Sequence, residues 1–370
     1  MTATANAELE SCLADLAEEF RHPTAPNRLE GLAAQLADLS HRWLVDTSKN
    51  RVREITEMVL IALVVVASVR VFFAQPTHIP TGSMQPTLNG VRVVSLARDK
   101  RWKRPRNWWN AAVELLLHGR SYYRVVAQDS GRITRIEPPK PIGPFVGHFG
   151  LGYQQRFLLG ETWHTIRFVP KELPPVHGVP SSELLFAHAR VDRNRVYVKG
   201  DEIINIVVLA GDRVLVDRLT FNFRQPKRGE IVVFSARGIP ELQPGTYYLK
   251  RLVALGGERV RIGNDRHVVV NGRRLDSRTP GFEKVYSFTG PAREDQYSGH
   301  VNDRGAQQYR NPPGLLAPRF PDEATELRVR PGHYLVLGDN TLMSLDSRVW
   351  GDISRGNLIG RVLVRYWPAQ

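Results

Sequence analysis

From Met58 to Ala67 the chain runs ten residues without a polar group, and Ser68, Val69, Arg70, Val71, Phe72, Phe73 and Ala74 extend the run. A segment that is apolar on every side has no face to offer water, so it belongs in a core or in lipid. Seventeen residues at the helical rise of 1.5 Å reach about 25 Å, the short end of what crosses a bilayer. Arg70 lies one turn from the far end, where its long stem can reach the interface. A cleaved leader would lie nearer Met1. The expectation is one transmembrane anchor over residues 55–74. Just before it, Arg42, Lys49, Arg51 and Arg53 outweigh Asp46 and Glu54, which favours a cytoplasmic N-terminus. Everything after Ala74 would then be exported.

The two sides of this divide differ in kind. Residues 1–54 read as a helical appendage. Leu9, Leu13, Leu16 and Phe20 recur at helical spacing, Pro23 and Pro26 interrupt, and Leu29, Leu32, Leu36, Leu39 and Trp43 resume the pattern. Past residue 75 the pattern is β-rich. Strands are expected at Arg195–Lys199, Ile203–Leu209, Arg213–Asp217, Glu230–Phe234, Tyr247–Leu255, Arg259–Ile262, His267–Val270, Tyr334–Leu337 and Leu358–Trp367. Gly263-Asn264-Asp265 and Asn271-Gly272 supply hairpin turn chemistry. Residues 99–200 stand out, with 17 basic against 8 acidic residues and four of the seven tryptophans. The stretch Trp102 to Arg120 suits either an amphipathic helix lying on an anionic membrane surface or a surface helix packed on a β domain.

Three segments can carry chemistry. Ile79-Pro80-Thr81-Gly82-Ser83-Met84-Gln85-Pro86-Thr87-Leu88 follows the anchor, and its prolines and glycine enforce an extended, sharply turned backbone around the Ser83 hydroxyl. A serine attacks only when a base takes its proton. His78 is near in sequence but has no obvious orienting carboxylate. In Thr246-Tyr247-Tyr248-Leu249-Lys250-Arg251-Leu252-Val253-Ala254-Leu255-Gly256-Gly257-Glu258, Lys250 stands among aromatic and aliphatic residues. Burial would lower its basicity and make it a general base near neutral pH, whereas a surface position on a half-buried strand would leave it inert. Gly338-Asp339-Asn340-Thr341-Leu342-Met343-Ser344-Leu345-Asp346-Ser347-Arg348-Val349-Trp350-Gly351 packs acids, serines, an amide and an arginine into one loop, suited to orienting a catalytic group. Asp339, Asp346 and flanking residues also read as calcium ligands, but their spacing is not that of an EF-hand loop.

In this order the segments resemble the type I signal peptidases, the membrane-bound Ser/Lys leader peptidases. Ile79 to Leu88 matches the serine motif, Tyr248 to Glu258 the lysine strand, and Gly338 to Gly351 the C-terminal signature. Gly211-Asp212-Arg213-Val214 matches a further short motif. The resemblance implies a mainly β fold of the signal-peptidase type behind one transmembrane helix. Its domains would be a cytoplasmic appendage (1–54), the anchor (55–74), a catalytic β domain (75–98 and 200–370) and an inserted basic subdomain (99–199). It further implies Ser83 as nucleophile and Lys250 as general base, with the Ser83 N–H and the Thr81 hydroxyl as oxyanion hole. Ser344 would hydrogen-bond Lys250, Asp346 and Arg348 would form a supporting ion pair with Asp339 and Ser347 nearby, and Met84 would line the site. No metal or organic cofactor is implied. The implied substrates are exported preproteins bearing signal peptides, cut after small residues at −1 and −3. The enzyme would be a monomer in the cytoplasmic membrane, its catalytic domain outside.

Three departures from the family pattern stand out. Thr81 replaces the usual serine. Gly256-Gly257-Glu258 replaces Pro-Gly-Asp, implying a looser turn. Some 120 residues separate the serine motif from Gly211-Asp212, which are normally close. Two other readings remain: a self-cleaving Ser/Lys regulator, and an inactive membrane-anchored peptide binder. The formal charge of +14 also invites nucleic acid. No nucleic-acid motif supports that, and residues 1–54 hold 6 basic against 9 acidic groups, so the positive charge belongs to the part expected to face lipid headgroups outside. One cysteine, Cys12, precludes a disulfide framework.

Overall fold

Short runs rich in Val, Ile and Leu, some continuous (Ile231–Ser235, Val268–Val270) and some alternating with charged residues (Arg259–Ile262), fold the second half of the chain into antiparallel strands. The computed structural model describes residues 3–21, 27–43, 51–68, 72–97, 99, 101–142, 152–169, 173, 176, 178–288, 299–307 and 317–368. It forms two units, Met1–Ser68 and Val69–Gln370.

In the first unit α1 (Ala3–Arg21) and α2 (Arg28–Trp43) pack together, with Leu9 and Cys12 buried between them and the Cys12 thiol aimed at the Leu32 carbonyl. The third helix, α3 (Arg51–Ser68), departs from the expected anchor. It starts early enough to hold Arg51, Arg53, Glu54 and Glu57 in its first two turns, where Arg53 and Glu57 pair at 2.8 Å. Its uncharged stretch from Met58 to Ser68 is about 16 Å long, roughly half a bilayer core. Among the described residues no helix is long and apolar enough to cross a membrane. Arg70 lies outside the described residues, and Ala74, the expected end of the span, already belongs to a strand.

The second unit is mainly β. A seven-stranded sheet runs in the order β1 (Ala74–His78), β9 (Arg213–Asp217), β18 (Leu358–Trp367), β10 (Ile231–Ser235), β11 (Tyr247–Leu255), β16 (His333–Leu337) and β17 (Ile353–Ser354). Bulges in β18 and β11 bend it. A smaller sheet of β14 (Arg273–Arg274), β13 (Val268–Val270), β12 (Arg259–Ile262) and β15 (Leu327–Arg328) packs through a shared core. The central strand β11 feeds two cores. Leu252 enters one with Phe234 and Val336, while Val253 and Ala254 both enter the other with Ile262 and Phe282, because the bulge at this point interrupts the two-residue period of the strand.

Residues 99–199 contribute α4 (Trp108–His118), β3 (Arg120–Val126), a four-stranded sheet of β4 (Ile133–Ile136), β5 (Lys140–Pro141), β6 (Tyr153–Leu159) and β7 (Thr162–Val169), and α5 (Leu184–Ala189). β3 pairs along its length with β8 (Glu202–Leu209), which also pairs with β2 (Arg92–Ser95). Phe157, Leu159 and Phe186 share a core with Val91, Ile204 and Ile206, so this segment is built into its surroundings.

The strands read at Ile203–Leu209, Arg213–Asp217, Tyr247–Leu255, Arg259–Ile262 and Leu358–Trp367 form within a residue of their expected bounds. Arg195–Lys199 does not. Only Tyr197 makes a bridge there, to Gly131, because the Asp201 carboxylate takes the Val198 N–H and the Arg195 guanidinium in place of a ladder.

Candidate active site

Ser83 sits in a single 3₁₀ turn, Gly82–Met84, entered from extended Thr81. The turn is held by apolar residues on either side of the hydroxyl. Ile79, Met84 and Leu88 are buried against Val214, Val216 and Val233. Met84, expected to line the site, is thus part of the core beneath it, at 1 % exposure. Gly211-Asp212 clamps the approach. A Cβ at Gly211 would lie 1.8 Å from the Ile79 carbonyl oxygen, so only glycine lets the chains meet. The Asp212 carbonyl then accepts the Ile79 N–H at 2.9 Å, and its carboxylate accepts the Asn89 N–H at 2.7 Å.

Lys250 reaches the same point from β11, which is paired on one side with β10 and on the other with β16. Its amine lies 3.0 Å from Ser83 Oγ and donates to it. The residue is 3 % exposed. Burial, the dominant influence, lowers its pKa from 10.5 to about 8. The Asp346 charge opposes that shift, Arg348 adds to it, and Asp339 opposes it more weakly. About a tenth of the amine is therefore neutral at pH 7, and a neutral amine in this position can accept the hydroxyl proton. Thr81 Oγ1 lies 3.5 Å from Ser83 Oγ.

The C-terminal loop closes behind both groups. Arg348 and Asp346 are fully buried, with Arg348 Nε 2.8 Å from Asp346 Oδ1 and a second contact of 2.8 Å to Oδ2. Asp346 also accepts the Gly338 N–H at 3.0 Å, and Arg348 donates to the Thr341 hydroxyl and carbonyl, each at 2.7 Å. Burial alone would raise the Asp346 pKa, but Arg348 and these donors hold it below the usual range, so the carboxylate stays ionised. The Ser347 hydroxyl accepts the Val336 N–H and ties the loop to β16.

Ser344 differs from its expected place. Its hydroxyl is buried without a hydrogen-bond partner among the described residues and makes no bond to Lys250. The lysine is extended to Ser83, while Ser344 is held by its carbonyl to Arg348 at 3.3 Å and packed on Gly338. A Cβ on Gly338 would fall 2.1 Å from Ser344 Oγ and 2.6 Å from the Ser83 carbonyl, which requires glycine there. The Gly256-Gly257-Glu258 turn is also firmer than its composition implies. The Glu258 carboxylate accepts the Leu255 N–H at 2.7 Å and pairs with Arg228 at 2.6 Å.

Comparison with known proteins bears on this geometry. The family model described as signal peptidase, peptidase S26, matches residues 52–108 and 193–367, well over half of the chain. The chain belongs to the signal peptidase family. A probable signal peptidase I-2 from Synechocystis is 30 % identical over 158 residues, covering 42 % of this chain and 56 % of that protein. A signal peptidase I from Aquifex aeolicus is 30 % identical over 189 residues, covering 44 % of this chain and 72 % of its own. The chain thus spans little more than half the length of the Synechocystis relative. A solved signal peptidase I from Enterococcus faecalis aligns over 38 % of this chain and 98 % of its own, at 25 % identity and a TM-score of 0.26. Residues 109–192 fall outside the matched signal peptidase segments.

Several residues to which the sequence motifs assign no individual role join the site. Arg251, beside Lys250, is buried and grips Asp339 with 2.7 and 2.5 Å contacts while reaching the Thr87 hydroxyl at 3.1 Å. Asn340 donates its side-chain amide to the Gly82 carbonyl at 3.1 Å and its N–H to the Ser83 carbonyl at 3.0 Å. The buried His300 ring lies 3.2 Å from the Gly338 carbonyl and 2.9 Å from the Tyr286 hydroxyl. Burial lowers its pKa to about 4, so at neutral pH Nε2–H donates to Gly338 and Nδ1 accepts from Tyr286. An arginine next to the candidate lysine, and an asparagine next to the Gly-Asp pair, were the available signals.

Proposed function

We propose that this chain is a serine endopeptidase that removes N-terminal signal peptides from exported preproteins, with Ser83 as nucleophile and Lys250 as general base. The observation that carries this reading is the 3.0 Å contact between the Ser83 hydroxyl and a buried lysine amine with a pKa of about 8. Lys250 takes the proton as Ser83 Oγ bonds to the scissile carbonyl carbon, and returns it to the leaving amine when the acyl-enzyme forms. That amine is the new N-terminus of the processed chain, which leaves at this step. Water, deprotonated by Lys250, then attacks the ester carbonyl, Ser83 Oγ takes the proton back, and the signal peptide is released with a free carboxylate. The Ser83 N–H and the Thr81 hydroxyl hold the developing oxyanion, which agrees with their position in and beside one tight turn.

The reading includes attachment to lipid through the apolar run that begins in α3 at Met58 and continues in sequence to Phe73, with the N-terminus in the cytoplasm and the β unit outside. Successive residues such as Leu60, Ile61, Leu63 and Val64 are more than half exposed, so the helix has no side on which its apolar residues are covered. The catalytic unit works as a monomer without a metal or organic cofactor.

A preprotein with Ala at −1 and −3 tests the substrate class. The detergent-solubilised chain is expected to cut it once, after the second alanine, as terminal sequencing of the product will show. Leu at −1 is expected to block the cut, because a shallow pocket rejects bulk by clash. Equal cleavage of both substrates would refute the reading. Thr81→Val removes one oxyanion donor while keeping shape, and is expected to lower kcat by about 10²–10³-fold with KM little changed. Thr81→Ser is expected to retain activity.

A further inference from the structure

We propose that α4 is an interfacial helix that seats the second unit on an anionic lipid surface, with the cationic cavity beside it receiving headgroup phosphate. The proposal rests on the membrane attachment put forward above and stands apart from the peptidase reading, since it lies outside the Ser83–Lys250 site.

The helix faces the wrong way for a soluble protein. Ala111, Glu114 and His118, spaced three and four apart, form its half-buried stripe, while Trp108, Trp109, Val113, Leu115, Leu116 and Leu117 are all exposed. None of its eleven residues is buried. An ordinary surface helix would put the leucines inside and the acid outside.

This orientation is built in. Asn107 caps the helix start by accepting the Asn110 N–H at 2.9 Å, and Gly119 ends it in the left-handed region at φ 61°. The Trp367 indole donates to the Leu116 carbonyl at 2.6 Å, and the Gly119 carbonyl accepts the Ala210 N–H at 2.8 Å. The helix therefore cannot roll to hide its leucines without breaking contacts to β18 and to the residue after β8. Its one acid, Glu114, is turned toward Arg120 at 2.9 Å, so the outer face carries no charge. The stacked Trp108 and Trp109 rings, 3.8 Å apart, are the side chains that favour the headgroup level of a bilayer.

The partner's charge follows from the neighbouring cavity of about 500 Å³, lined by Arg92, Arg101, Trp102, Lys103 and Arg120 along with Asp99 and Glu114. Asp99 pairs with Arg101 and Glu114 with Arg120, leaving Arg92 and Lys103 as the cationic excess. An apolar helix face with tryptophans at one end and a cationic pocket alongside complements an anionic headgroup above acyl chains.

The full chain, reconstituted into bilayer discs containing brominated lipid, tests this through tryptophan quenching. Quenching is expected to be strong in phosphatidylglycerol discs and weaker in phosphatidylcholine discs. Trp108→Phe with Trp109→Phe is expected to remove most of it. Leu116→Ser, which keeps every tryptophan, is expected to reduce it, and Arg92→Ala with Lys103→Ala is expected to lower the phosphatidylglycerol value to the phosphatidylcholine value. Millimolar inorganic phosphate is expected not to reverse it, which separates a lipid headgroup from a free anion. Quenching that is the same in wild type and the double tryptophan variant overturns the proposal. So does quenching that ignores lipid charge, or shielding of these tryptophans by added preprotein or by self-association in place of lipid. Should the chain fail to enter discs, the α3 attachment falls, and the same quenching read on vesicles mixed with the chain decides the α4 proposal separately.

Discussion

Lys250→Ala is expected to reduce preprotein cleavage by about 10⁴-fold, the upper end of what a positioned base contributes, with KM little changed. Ser83→Ala is expected to fall at least as far, and the double variant no further, because two groups that act as one unit do not lose activity additively. A substantial residual rate in either single variant would remove that residue from its proposed role. The same assignment sets the pH dependence. With a lysine pKa of about 8, the neutral fraction and hence kcat are expected to fall roughly tenfold for each unit below pH 7, and to level off above about pH 9. A rate unchanged between pH 6 and 9 would count against Lys250 as the base.

The activated amine carries a stability cost whose sign can be checked. The folded-state pKa of Lys250 is lowered from 10.5 to about 8, so between these values the unfolded chain binds more protons than the folded one. Stability therefore rises with pH across that window and is lowest below it. The difference of about 2.5 units amounts to roughly 3 kcal/mol. Lys250→Met keeps the volume and removes the charge. It is expected to be inactive yet more stable than wild type near pH 6, with the gap closing as pH rises from about 8 toward 10.5. Denaturant melts at pH 6 and pH 10 will measure it. A Lys250→Met variant no more stable than wild type at pH 6 would mean that the amine is better solvated than its burial implies.

Much of this frame is visible in the chain, and the part that is not has a common cause. The aromatic and aliphatic run of Tyr247–Leu255 specifies a strand, yet Lys250 within it looks equally like a surface residue. Only pairing on both sides, by Ile231–Ser235 and His333–Leu337, buries it. The Arg251–Asp339 pair joins positions 88 residues apart, and Asn340 reaches Gly82 across 258 residues. Local periodicity carries no information on such contacts. The apolar run at Met58 has the opposite difficulty: its hydropathy is plain, but the helix boundaries are set by backbone continuity, so charged residues from Arg51 on enter the same helix. The reversed face of Trp108–His118 could not be read either, since a helical spacing of leucines does not say which side meets the protein.

Arg348→Met is expected to destabilise the second unit by about 3–5 kcal/mol, since it strands the fully buried Asp346 carboxylate. Asp346→Asn keeps an acceptor for the Gly338 N–H and leaves Arg348 its bonds to Thr341, so its loss is expected to be smaller. Combining the two removes both charges and is expected to recover part of the Arg348→Met loss, and the double-mutant cycle yields the coupling. A purely structural pair would stop there. This one also bears on the amine, because Asp346 raises the Lys250 pKa while Arg348 lowers it. Among molecules that remain folded, Arg348→Met is therefore expected to shift the pH–rate profile to higher pH, and Asp346→Asn to lower pH. Opposite shifts from two partners of one ion pair would be hard to produce through misfolding, which slows the rate without moving its midpoint in a charge-dependent direction. Profiles that coincide with wild type after normalisation would confine Asp346 and Arg348 to holding the loop.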